Sequence, residues 1–135
     1  MRIGDIVEGG SLPDGYFDTV PTSFPVIDQE LEDRLYMYSE VDYSMDSEAL
    51  VDVPVGLIRV REDNVVKRIL GEYRREFEET GRFLCPSGDP EALSAFPWGI
   101  RFGDGSVVVM DGTHRAEVLR ERGSTVRMYV FDKWW

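Results

Sequence analysis

The stretch Val107-Val108-Val109-Met110-Asp111-Gly112-Thr113-His114-Arg115-Ala116-Glu117-Val118-Leu119 constrains this chain more than any other. Four successive apolar residues, three of them β-branched, read as a buried strand. Asp111-Gly112-Thr113 breaks it, and a helix is expected from about Thr113 to Arg122, with Ala116 and Leu119 toward the core and Gly123 as its stop. A strand that turns through glycine straight onto a helix brings unpaired backbone N–H groups and the positive end of the helix dipole to one point. That geometry suits a phosphate or another anion.

The residues around this junction read as a small α+β domain. Val53–Val60 is rich in β-formers and predicts a strand, with Pro54 confined to its start or to an edge. Val66, Ile69, Leu70, Tyr73 and Phe77 recur at three- and four-residue steps, which predicts an amphipathic helix over 65–80. Asp63 or Asn64 is its expected cap and Gly81 its stop, with Arg74/Glu78 and Arg75/Glu79 as i,i+4 pairs on the wet side. Pro86, Gly88, Pro90 and Pro97 mark 84–97 as a loop. Ile100–Phe102 and Ser106–Met110 flank Gly103-Asp104-Gly105 as a hairpin, and Val126–Phe131 predicts a last strand. The order β-α-β-β-α-β implies one small mixed sheet with packed helices.

Charge divides the chain. Residues 1–52 hold 13 acidic residues against Arg2 and Arg34, whereas residues 53–135 hold 13 of each sign, so the formal net charge of −11 belongs to the first segment. We therefore expect an acidic N-terminal extension, 1–52, and a neutral domain, 53–135. The extension is densely broken by Gly and Pro over 9–25, yet Tyr16, Phe17, Phe24, Tyr36, Tyr38 and Tyr43 predict that it packs on something, with a short helix over 28–37 capped by Asp28. Residues 39–50 are acidic and give no clear pattern. Such a field argues against duplex DNA as a direct partner. No apolar run nears the roughly 18 residues of a membrane helix, and the opening MRIGDIVEGGS lacks the apolar stretch of a secretory signal. A cytoplasmic protein is expected. The lone Cys85 cannot form an internal disulfide, and no Cys/His cluster offers a structural metal site.

Within the junction, Gly112 lets backbone approach a ligand, Thr113 offers a cap or a hydroxyl, and Arg115 offers a planar donor fork. His114 offers hydrogen bonds or, as the candidate catalytic residue, a proton shuttle near neutral pH. A structural reading stands beside this one. Asp111 or Thr113 serves as N-cap, Gly112 only turns the chain, His114 bonds a backbone carbonyl, and Arg115 pairs with the neighbours of Glu117 or with the acidic N-terminal segment. Arg59 and Arg61, at strand spacing, either extend the anion site or are solvated edge residues. Trp134 and Trp135 read as packing residues rather than as anchors for a partner.

The box Asp111-Gly112-Thr113-His114-Arg115, set between a Val-rich strand and a short helix, together with the Val53–Val60 strand, resembles the ParB/sulfiredoxin-like superfamily over about residues 53–132. The resemblance implies that Asp111, Gly112, Thr113, His114 and Arg115 bind nucleotide phosphates. The nucleotide would be ATP, ADP or CTP, with or without Mg²⁺, and the protein would act as a binder, an ATPase or a phosphotransferase. Thr113 stands where sulfiredoxins carry their nucleophilic cysteine, so sulfinic-acid repair is not expected, and Cys85 does not map onto that role. The Arg-rich helix and the DNA reader that follow in ParB clamps are not expected here. The kinase members use a further carboxylate, for which Glu62 and Asp63 are the candidates as base or metal ligand.

Two other readings compete. One is a non-enzymatic phage or mobile-element accessory protein whose acidic N-terminal half binds a basic protein partner or imitates DNA. The other, nuclease activity, ranks last because no carboxylate cluster can be assigned to a metal.

Overall fold

A computed structural model describes residues 14–38, 48–83 and 95–132. The chain runs β1 (Thr19–Pro21), α1 (Gln29–Tyr38), β2 (Glu48–Pro54), a 3₁₀ turn (Val55–Leu57), β3 (Ile58–Arg59), β4 (Asn64–Val66), α2 (Lys67–Thr80), β5 (Trp98–Arg101), β6 (Val107–Asp111), α3 (Thr113–Arg120) and β7 (Thr125–Asp132). Five strands form one mixed sheet in the order β2-β7-β5-β6-β3, while β1 and β4 pair separately. The β2–β7 and β5–β6 pairs are antiparallel, and β5–β7 and β3–β6 are parallel. The architecture is α+β, as expected.

The apolar run of β6 explains the layering. Side chains alternate across a strand, so Val107 and Val109 face one side and Val108 and Met110 the other. Val107 and Val109 join Ile58, Val126, Met128 and Val130 beneath Ala116 of α3. Val108 and Ile100 are covered by Leu35, Leu31 and Ile27 from α1 and the segment before it. A strand buried on both faces has no polar alternation, which is the signature read from the sequence. The strand also crosses β5 closely. The register shifts between Trp98 and Gly99, and a Cβ at residue 99 would lie 2.4 Å from the Val108 carbonyl oxygen.

A third cluster fills the space between α2 and the β1–β4 pair, with Val65, Leu70, Phe83 and Val118 at its centre. α3 is therefore enclosed on several sides, and Arg115, Ala116, Glu117 and Val118 are buried in succession. It stops at Arg120, two residues short of the expected end.

The Val53–Val60 run is not one strand. Val53 and Pro54 close β2 against β7, the 3₁₀ turn follows, and Ile58–Arg59 then pairs with β6. The expected boundary between residues 52 and 53 falls inside β2. On its N-terminal side, Phe24 is 4 % exposed and Leu35 1 %, and each fully buried side chain of this size is worth roughly 1.5–3 kcal/mol. Of the other early aromatics, Tyr16 lies beneath the Arg68 guanidinium at 4.2 Å, whereas Phe17 is exposed. The short helix over 28–37 is α1, and the Leu31 N–H donates to Asp28 Oδ1 at 2.9 Å, in keeping with the expected cap. α2 begins later than expected. Its N-cap is Val66, with no side-chain cap from Asp63 or Asn64, because residues 64–66 are engaged with β1. It ends at Gly81 as expected. Arg74 and Glu78 do not pair with each other. Arg74 grips Glu121 and Glu78 meets Arg122, which ties α2 to the end of α3. Cys85, most of the 84–97 loop, Tyr43, Trp134 and Trp135 lie outside the described residues.

Candidate functional site

The end of β6, the start of α3, the link from β3 to β4 and one face of α2 enclose a cavity of about 700 Å³. Asp111, Gly112, Thr113, His114 and Arg115 all line it. So do Arg61 and Glu62 from the link, Asn64 from β4, Ile69 and Tyr73 from α2, and Glu32 from α1. The cavity lies beyond the carboxyl ends of the parallel pair β3 and β6.

Gly112 makes the junction possible. It is the N-cap of α3 with φ 92° and ψ 30°, and no side chain caps the helix. Neither Asp111 nor Thr113 takes that role. The position is also tight, because a Cβ there would lie 2.8 Å from Pro97 Cα and from Arg115 Nη2. The Gly112 carbonyl accepts from the Ala116 N–H at 2.8 Å, so the helix starts immediately after the turn.

Arg115 is 6 % exposed, and its Nη2 stands 3.5 Å from Oδ2 of Asp111, the last residue of β6. This guanidinium is built into the wall of the cavity rather than swinging in solvent. His114 does not donate to a carbonyl. Its Nε2 accepts the Val66 backbone N–H at 3.0 Å, which fixes the proton on Nδ1. Burial lowers its pKa below the usual 6.5, against the raising influence of the Glu62 and Glu117 carboxylates. At neutral pH His114 is thus an uncharged ring that fastens β4 to α3, with Nδ1 as its remaining polar atom.

The two arginines of the β3 region part company. Arg61 lines the cavity, and its Nε donates to both Glu32 carboxylate oxygens at 3.1 Å. Arg59 turns away, donating to the Gly56 and Ile58 carbonyls at 2.8 and 3.0 Å beside a second cavity that Arg34 and Asp104 share. Glu62 reaches the first cavity, while the Asp63 carbonyl accepts the Thr22 N–H at 2.9 Å.

Glu117 has a role that sequence reading missed. It is 7 % exposed and accepts from Thr22 Oγ1 at 2.5 Å, the Ser23 N–H at 2.8 Å and Ser23 Oγ at 2.5 Å. A charged residue in the middle of a buried helix was the available signal, since such a group needs partners. The contact pins the segment after β1 to α3.

Among the described residues, no group of three or more His, Cys, Asp or Glu side chains is placed to hold a metal ion. No described helix is long and apolar enough to cross a membrane. No protein-family model matches the chain, and no curated protein is significantly similar to it.

Proposed function

We propose that the cavity at the β6–α3 junction binds a phosphate-bearing ligand, a nucleotide, on a ParB/sulfiredoxin-like scaffold. One observation carries this reading: the uncapped N-terminus of an enclosed helix opens, through Gly112, onto a cavity that Arg61 and Arg115 also line. Free amides at a helix start and a planar guanidinium are complementary to phosphate oxygens. A volume of about 700 Å³ is within the range of small-ligand sites. Ile69 and Tyr73 supply an apolar wall suited to a base or another flat group. Ligands of open sheets commonly sit beyond the carboxyl ends of parallel strands, as this cavity does. Asp111 and Gly112 shape the cradle, Thr113 and the first amides of α3 bond the phosphate, and Arg115 neutralises it. ATPase or phosphotransferase activity would need His114 Nδ1 or Glu62 to serve the acceptor.

A thermal-shift panel of the mono-, di- and triphosphates of adenosine and cytidine, with and without Mg²⁺, tests the proposal. A ligand present at one hundred times its Kd stabilises by ~2.7 kcal/mol, which for a chain of this length raises Tm by about 8 °C. Arg61→Ala, whose side chain is over a third exposed, should shrink the shift while the protein stays folded. No shift with any of these ligands overturns the reading.

A further inference from the structure

The cavity walls carry three carboxylates, from Glu32, Glu62 and Asp111, against the two guanidiniums of Arg61 and Arg115. A site for a naked polyanion would not be built this way. The most telling of the three is Glu32, which comes from α1, 29 residues before Arg61 in the chain, and grips it from the far wall. Arg61 Nε donates to both Glu32 oxygens at 3.1 Å, and Nη2 donates to Oε1 as well. This fork-on-carboxylate arrangement is the same one by which an arginine takes a phosphate. Glu32 therefore occupies the donor edge that an incoming anionic group would use. The pair is also open to exchange, since the two side chains are 37 % and 32 % exposed and wet ion pairs hold weakly.

We propose that Glu32 is the charge-selecting residue of this cavity, an internal competitor for Arg61. The inference rests on reading the cavity as a phosphate site. A ligand's first phosphate seats at the start of α3 beside Arg115 and leaves the Glu32–Arg61 pair intact. A second phosphate reaches Arg61 only by displacing Glu32, whose freed carboxylate then faces the ligand's own negative charge. The cavity thereby favours monophosphate-bearing ligands and penalises di- and triphosphates.

Calorimetric titration of AMP, ADP and ATP, without Mg²⁺, into the wild-type chain, Glu32→Gln and Glu30→Gln tests this. Glu30→Gln removes one charge from the same helix but outside this cavity, because Glu30 pairs with Arg34 instead. Glu32→Gln should strengthen ADP and ATP binding about tenfold, the scale of a charge-assisted contact regained, and leave AMP within about twofold. Glu30→Gln should move all three ligands slightly and alike. Thermal melts of the three proteins check that each is folded. If AMP binds and Glu32→Gln leaves the ADP-to-AMP ratio unchanged, or Glu30→Gln changes it as much, charge selection is overturned while the phosphate site survives. If none of the proteins binds any of the three, the inference falls for adenosine nucleotides, and the phosphate site falls as well when the cytidine nucleotides and the Mg²⁺ arms of the thermal-shift panel also give no response.

Discussion

Replacing Gly112 by alanine gives the sharpest test of the junction, because Gly105 supplies an internal control. The two glycines have nearly the same backbone angle, φ 92° and φ 90°. A left-handed backbone costs a non-glycine residue roughly 1–2 kcal/mol, and the stiffer unfolded chain of the alanine variant returns about 0.4–1 kcal/mol. Gly105→Ala meets nothing within 4 Å, so about 1 kcal/mol should be its whole cost. Gly112→Ala adds contacts at 2.8 Å to Pro97 Cα, which is backbone, and to the buried Arg115 guanidinium. Overpacking of this kind typically costs a further 1–3 kcal/mol, which brings the total to about 3 kcal/mol. Urea unfolding read by tryptophan fluorescence separates the two. With a slope of about 2 kcal/mol/M, the midpoint falls by ~0.5 M for Gly105→Ala and by ~1.5 M for Gly112→Ala. Equal losses would show that residue 112 is not pressed between Pro97 and Arg115, and the account of the cradle would fail. A displaced Arg115 should also abolish the nucleotide-induced thermal shift in Gly112→Ala and spare it in Gly105→Ala.

Glu117→Ala removes the acceptor of three donors and should cost about 3 kcal/mol in urea unfolding; adding Thr22→Val should then cost little more, whereas full additivity would refute a shared clamp. His114 predicts a pH dependence. Its folded pKa lies below 6.5, so the unfolded chain binds the proton first as pH falls, and stability that is complete above about pH 7 is lost as the pH drops below the unfolded value toward the folded one. Urea midpoints at pH 7.5, 6.5 and 5.5 should fall in that order for wild type and stay level for His114→Asn. The carboxylates of Glu121 and Asp132, held low by bonds from Arg74 and Arg101, lose their contribution only below about pH 4.5 and leave that window clear.

The junction was legible because its signals are local: a β-branched run, a glycine and a helix start within a few residues. All five residues of the Asp111–Arg115 box accordingly line one cavity. What could not be read depends on distant partners. The Val53–Val60 run looks continuous, but Val53 answers to Val126 of β7 and Ile58 to Val107 of β6, and the chain must bend between two different neighbours. β1 and β4 have three residues each and exist because they pair with one another, which no window of sequence can register. Helical spacing placed Glu78 opposite Arg74, yet Glu121 offers both carboxylate oxygens to that guanidinium and prevails. Charge counting set residues 1–52 apart, although Phe24 and Leu35, two of the residues that tie the segment to the rest of the fold, carry no charge.

The position of β7 has a consequence for how the protein is made. β7 lies second in the sheet, between β2 and β5, and is the last of the described strands along the chain. During synthesis β2 leaves the ribosome long before β7, with Leu50, Val51 and Val53 lacking the strand they will join. Non-local pairing of this kind is slow, and unpaired strand edges invite association between chains. A chain cut short before Thr125 has no domain with a missing tip; it has two open edges where one strand should be. The edge of β2 that β7 will cover therefore stays open while every residue between Pro54 and Thr125 is made, and that stretch of synthesis is its vulnerable interval.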